Sequence, residues 1–173
     1  MHSFAKLTLL CLSLFPAIGL GAYPCQADAE YRKLDFWLGH WDAFDSARPT
    51  MKVGDNVIAK SENGCAITET WHEADGSGEA VGLFYYQPAG RQWKYVLVSA
   101  SGAIKERVLT EERKDGAVRF QGEILQVNPP GSHLDRFTII ALAGGNVRET
   151  VEVSRDGGKT WQTTFDCEYR KRK

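Results

Sequence analysis

The sequence predicts an all-β fold, a closed up-and-down antiparallel barrel of about ten strands with a short N-terminal helix capping one end. Three observations carry this reading. Turn signals recur at a nearly constant interval: Arg48-Pro49, Asn63-Gly64, Asp75-Gly76, Ala89-Gly90, Ser101-Gly102, Asp115-Gly116, Pro129-Pro130-Gly131, Gly144-Gly145 and Asp156-Gly157-Gly158. Such residues tolerate φ > 0 or fix φ, which tight hairpins require, and nine of them separate ten runs of strand length. Within the runs, apolar residues alternate with period two, and only one segment ahead of them has a helical period.

The chain opens with Lys6 and an apolar run from Leu7 to Leu20, broken by Pro16 and Gly19 and followed by the small residues Gly21 and Ala22. The run is too short and interrupted to span a membrane as a helix and reads as a secretory signal peptide, residues 1–22. The expected location is therefore periplasmic or secreted. Residues 23–38 form a lead-in, and residues 39–173 form the barrel domain. In the lead-in, Ala27, Tyr31, Leu34 and Leu38 recur at helical spacing, Asp28 can cap the start and Gly39 can end it, so a helix is expected over Asp28–Leu38. Its apolar stripe has nowhere to be buried except over the barrel's mouth.

Without residues 1–22, 20 basic residues face 22 acidic ones, a net charge of −2, and no basic cluster suggests nucleic acid. Cys11 leaves with the signal peptide, so Cys25, Cys65 and Cys167 remain in an oxidising compartment. Three cysteines cannot all pair within one chain. A Cys25–Cys65 bridge, which would staple the lead-in onto the barrel, is the preferred pairing and would leave Cys167 a buried thiol.

Along the strands, Cys65, Ile67, Glu69 and Trp71 share one face; Val118, Phe120, Gly122 and Ile124 share another. Val147, Glu149, Val151 and Val153 do likewise, as do Trp161, Thr163, Phe165, Cys167 and Tyr169. The run from Gly78 to Gln87 is apolar on both faces. Closing the sheet removes exposed edges, and a barrel of this strand number leaves a cavity unless large side chains fill it. An outer-membrane barrel shares the alternation. Against it stand short connections at both ends, the mid-strand charges Glu69, Arg136 and Glu149, and no girdle arrangement of Trp41, Trp71 and Trp93. In lipid, an Arg near the midplane costs about 2–4 kcal/mol. No membrane insertion is expected.

Ser154 to Trp161 matches the Ser-x-Asp-x-Gly-x-Thr-Trp pattern of Asp-box hairpins, which occur in sialidases and on unrelated folds; a single copy reads as a structural turn. The histidines after the signal peptide, His40, His72 and His133, lack metal-ligand spacing, and no metal or other cofactor is expected. No phosphate-binding loop or nucleophile elbow is visible. The remaining candidates are inward polar groups. Glu69 and Glu149 lie between apolar neighbours, and Arg136 faces inward if Leu134, Thr138 and Ile140 do. A buried Glu–Arg pair would fix the barrel's register; alternatively these groups anchor the polar end of a ligand. In the second case Trp41, Trp71, Phe84, Tyr86, Trp93 and Tyr95 form apolar walls, while Glu69, Arg136, Glu149 and Tyr169 orient a small hydrophobic or amphipathic molecule. Two alternatives stand beside this carrier or sensor. One is an isomerase, cyclase or lyase with Glu69 as base and Arg136 or Tyr86 as electrophilic partner. The other is a structural module whose own aromatics fill the interior.

The heptad Asp35-Phe36-Trp37-Leu38-Gly39-His40-Trp41 resembles the barrel-opening motif of an uncharacterised family of secreted bacterial calycin-like proteins. The resemblance continues through Gly64-Cys65, Glu69, Trp71, Tyr85-Tyr86, Trp93, Val147-Arg148, the Asp156–Trp161 turn, Phe165-Asp166 and Tyr169. It implies a lipocalin-like or nitrobindin-like barrel and no particular activity. This chain departs from the family pattern at Gly82 and Phe84, which replace polar Ser and Asn. It also departs at Tyr95, Leu97 and Ser99, which replace Gln, Trp and Asp, and at Cys167, which replaces Gly. Those departures imply a less polar interior. Nitrobindin-like barrels suggest haem, but no histidine here stands at the matching position in the late strands.

Overall fold

The computed structural model describes residues 24–127 and 130–172. The expected signal peptide lies outside the described residues. Ten antiparallel strands form one closed barrel in sequence order: β1 Gly39–Asp45, β2 Lys52–Ser61, β3 Ala66–Glu73, β4 Glu79–Gln87, β5 Gln92–Ser99, β6 Ile104–Glu112, β7 Val118–Val127, β8 Pro130–Ala141, β9 Val147–Ser154 and β10 Gln162–Lys171. β1 pairs with β10 from Trp41↔Lys171 to Asp45↔Cys167, so no strand edge is left unpaired by the circuit. Eight of the nine turn signals fall between strands. Pro130 and Gly131 of the remaining one already belong to β8. In the tight turns Gly76, Gly102 and Gly116 take φ of 73°, 78° and 84°, a region closed to most side chains.

The lead-in differs from the single helix over Asp28–Leu38 that its spacing predicts. It consists of a helical turn, Pro24–Ala27, and two 3₁₀ turns, Ala29–Arg32 and Asp35–Trp37. Asp28 does cap, its Oδ1 accepting from the Glu30 amide at 2.9 Å. Three-residue turns bring positions three apart onto one line, so Tyr31, Leu34 and Trp37 are the residues buried, and Leu38 is not among them. Tyr31 meets Tyr86 edge-on at 5.4 Å, while Trp37 stacks on Trp41 at 5.6 Å and meets Tyr169 edge-on at 4.7 Å. These aromatics close one end of the barrel. The Cys25–Cys65 disulfide, Cα–Cα 5.0 Å, ties the lead-in to the start of β3, and ion pairs Lys33–Glu112 and Lys60–Asp35 hold its polar side. By loop-closure entropy a bridge enclosing about 40 residues contributes roughly 4 kcal/mol. Cys167 is a buried free thiol.

Alternation places Phe84, Trp93, Tyr95, Phe120, Phe137, Ile139, Val147 and Val151 in one continuous core. The ambiguous strand β4 turns Gly82, Phe84 and Tyr86 inward and leaves Val81, Leu83 and Tyr85 exposed. At Gly122 the backbones of β6 and β7 approach so closely that a Cβ would stand 1.8 Å from the Glu106 carbonyl oxygen. Gly122→Ala should therefore lower stability by about 2–4 kcal/mol through displacement of the β6–β7 ladder. Thermal unfolding followed by circular dichroism checks this; a melting temperature equal to wild type would contradict the close approach.

Candidate functional site

The inner face carries more charge than the sequence suggests. Glu69, 6% exposed, is clamped: its Oε1 accepts from Asn56 Nδ2 at 2.7 Å and its Oε2 from the Tyr95 hydroxyl at 2.6 Å. Gly82, cross-strand from Glu69, makes this possible, since a Cβ there would come within 2.9 Å of both Glu69 Oε2 and the Tyr95 ring. The second element is an ion pair between Arg107 on β6 and Asp135 on β8, both buried. Those strands are not neighbours. Gly122 of β7 lies between them in register, paired with Arg107 on one side and Asp135 on the other, and its missing side chain lets the pair meet across β7. The Arg107 guanidinium also lies 4.8 Å from the Phe137 ring centroid and 5.3 Å from that of Tyr95. Arg107 Nη2 and Asp135 Oδ2 have no hydrogen-bond partner among the described residues.

Glu69, Tyr95 and Arg107 border a cavity of about 510 Å³ in the half of the barrel away from the lead-in. It opens beside the β3–β4 and β5–β6 connections, where Ser77, Gly78 and Ser99 to Ser101 form the rim. Trp71, Leu97, Val151 and Phe165 supply apolar wall, and Glu69, Tyr95, Lys105, Arg107, Glu149 and Tyr169 supply polar groups. Trp71 is steadied by its Nε1 donating to Glu73 at 2.9 Å, and Gly54 makes room for its ring, since a Cβ there would come within 2.3 Å of it.

Burial and the charge of Glu69 push the Glu149 carboxyl up to about 7, against the opposing pull of the Tyr169 hydroxyl, Arg107 and Lys105. Burial, then the Glu69 charge, raises the Tyr95 hydroxyl well above its ordinary range, so it remains a donor. Burial and the neighbouring Arg107 cation lower the Lys105 ammonium. Burial opposes the charged form of Arg107, but its bond to Asp135 outweighs this and raises it.

The structure brings together Glu69, Trp71, Tyr95, Glu149 and Tyr169 of the residues expected at a site. Trp41, Phe84 and Trp93 instead fill the closed half as core, each 1% exposed, and Tyr86 sits under the lead-in against Tyr31. Arg136 requires a correction. It faces outward, forked onto Glu152 at 2.7 and 2.9 Å, with its guanidinium 4.1 Å from the Trp161 ring centroid. Asp135, Phe137 and Ile139 take the inside, because Phe137 stacks on Phe120 at 5.1 Å and Ile139 is fully enclosed. Lys105, Arg107 and Asp135 also stand on the inner face. Those residues and Asn56 were not legible because their strands carry apolar residues on both faces; the missed signal was inward Gly122, paired with both Arg107 and Asp135. The Asp156 segment is a turn: its carboxylate accepts from the Lys159 and Thr160 amides at 3.0 and 2.9 Å and from the Thr160 hydroxyl at 2.6 Å, which holds it down at about 2. His40 and His72 are exposed, and His133 is half-buried.

An acid whose pKa is higher in the fold binds its proton more tightly there. The stability this contributes is present below the unfolded value near 4.5 and is lost as the pH rises to about 7. Glu149→Gln should match wild type near the lower end of that window. Above it the variant should be more stable, by an amount on the order of 2 kcal/mol once solvent screening through the open cavity is allowed for. Denaturant unfolding across pH measures this, and a difference that does not change with pH would contradict it. No protein-family model matches the chain, and no curated protein matches it.

Proposed function

We propose that this protein is an exported barrel that holds a small amphipathic molecule in the open half of its interior, as a carrier or sensor. The observation that carries this reading is the 510 Å³ cavity, lined by apolar wall and inward charged groups in a barrel whose other half is packed with aromatics. Its volume lies within the range of pockets that enclose a drug-sized ligand, roughly 300–1,000 Å³. Charged groups on a cavity wall are costly without compensation, and a ligand's polar end supplies it. The buried Arg107 Nη2, without a partner among the described residues, supports the same view. Export is supported by the Cys25–Cys65 bridge, which persists in an oxidising compartment. Among the described residues no helix is long and apolar enough to cross a membrane.

A catalytic reading that pairs Glu69 with Arg136 loses its partner, because Arg136 lies outside the barrel. The group suited to proton transfer near neutral pH is Glu149.

Titration with the neutral fluorescent probe N-phenyl-1-naphthylamine tests the cavity. Wild-type protein should show saturable, blue-shifted emission. Leu97→Trp, which fills the cavity wall, should weaken binding by roughly tenfold or more, about 1.4 kcal/mol, without loss of the fold. Trp41→Phe, in the closed half, should leave binding unchanged. Equal binding by the Leu97 variant, or none by wild type, would contradict the proposal.

A further inference from the structure

We propose that Lys105 is a reactive amine that captures a carbonyl-bearing occupant of the cavity as an imine, with Glu149 carrying the proton. This rests on the cavity reading above and names its class of ligand: a small, mostly apolar aldehyde or ketone.

Position comes first. Lys105 lines the cavity with Glu149 and Tyr169, and stands two residues from Arg107 on the same face of β6. The two cations differ in their attachments. Arg107 is held by Asp135, whereas Lys105 has no hydrogen bond or ion pair among the described residues, only longer-range attraction to Asp135, Glu149 and Glu69. An unpaired lysine on a partly desolvated wall beside a second cation is the environment that leaves the amine neutral, the form that attacks a carbonyl. The direction of the Lys105 shift agrees with that setting.

The charge arrangement also selects against ions. A carboxylate ligand would face the charge of Glu69, and an ammonium ligand would face the Arg107 cation. A neutral carbonyl meets neither penalty. It would find a free amine, a carboxyl able to hold or release a proton near neutrality, and aromatic wall at Trp71 and Phe165. Of the other titratable groups near Lys105, Tyr95 and Tyr169 stay protonated, and His133, whose strand position is paired with Ile124 across β7, is pushed down by burial and by Arg155.

The step balances without an added oxidant or reductant. The Lys105 nitrogen lone pair forms a bond to the carbonyl carbon while the carbonyl oxygen takes the Glu149 proton. The nitrogen then returns one proton to the Glu149 carboxylate. The hydroxyl of this adduct takes that proton and departs as water, and the nitrogen lone pair closes the C=N bond. The product is an iminium beside an ionised Glu149, a charge pair within the cavity.

The test treats the intact, disulfide-bonded protein near neutral pH with cinnamaldehyde and then sodium cyanoborohydride, whose hydride converts the C=N bond to a stable amine. Whole-protein mass and peptide mapping locate the adduct. The expected result is labelling at Lys105 at least about tenfold faster than at exposed Lys114 and Lys159. Lys105→Arg and Lys105→Met should lose the fast adduct, and Glu149→Gln should slow its formation. Because the wild-type map compares lysines within one molecule, a variant that fails to fold does not blunt the test. Cinnamyl alcohol, which lacks the carbonyl, reports occupancy separately by displacing the naphthylamine probe. Displacement by the alcohol with labelling spread evenly over surface lysines would overturn the imine and spare the cavity. Absence of both displacement and selective labelling would overturn both.

Discussion

Closure of β1 on β10 is the constraint on which the rest of the structure depends. In an open sheet a polar residue on the wrong face can turn toward solvent at an edge. In a closed barrel, period-two alternation commits each side chain to one side of the wall. Glu69, Lys105, Arg107, Asp135 and Glu149 are thereby held inside, and each must be paired, solvated through a mouth, or bound to something else. The two buried solutions differ in kind. Glu69 is held by neutral donors, Asn56 and Tyr95, while Arg107 and Asp135 pair with each other across an intervening strand, leaving Arg107 Nη2 and Asp135 Oδ2 without a partner among the described residues.

Both solutions depend on glycine, for steric reasons. Gly82 leaves the volume that Glu69 and the Tyr95 ring occupy, and Gly122 leaves the gap that the ion pair crosses. The lead-in then breaks the symmetry of the barrel's two ends. Tyr31, Leu34 and Trp37 seal one end with aromatic contacts, locked by the Cys25–Cys65 bridge. Inward polar groups therefore face solvent at the other end, beside the β3–β4 and β5–β6 connections. Glu149 and Lys105, which lack the strong partners of Glu69 and Arg107, stand on that open cavity and are the groups free to respond to a ligand or to pH.

The architecture was legible because hairpin chemistry and alternation are local. Asp115-Gly116 or Asp156-Gly157-Gly158 announces a turn without reference to the rest of the chain. Inward placement was legible where one face is plainly apolar, as for Val118, Phe120 and Ile124, or for Phe165, Cys167 and Tyr169. It failed on β8, where Leu134 and Ile140 are as apolar as Phe137 and Ile139; the stack of Phe137 on Phe120 decides that strand, and such a contact is tertiary. The same ambiguity hid Lys105 and Arg107, since β6 carries Ile104 and Val108 on the opposite face. The helical character of the lead-in is legible in its spacing, but its pitch is not. A three-residue period that buries Trp37 rather than Leu38 is imposed by the aromatics beneath it, Trp41 and Tyr169.

A closed wall that keeps charge inside and leaves one end open is the ground on which we propose a bound molecule. Native mass spectrometry of the disulfide-intact protein isolated from its own host, under gentle activation, tests this most directly. The result expected is a discrete adduct of drug size on the folded chain that is absent from a Leu97→Trp variant prepared in the same way. Only the bare polypeptide mass in both preparations would contradict it.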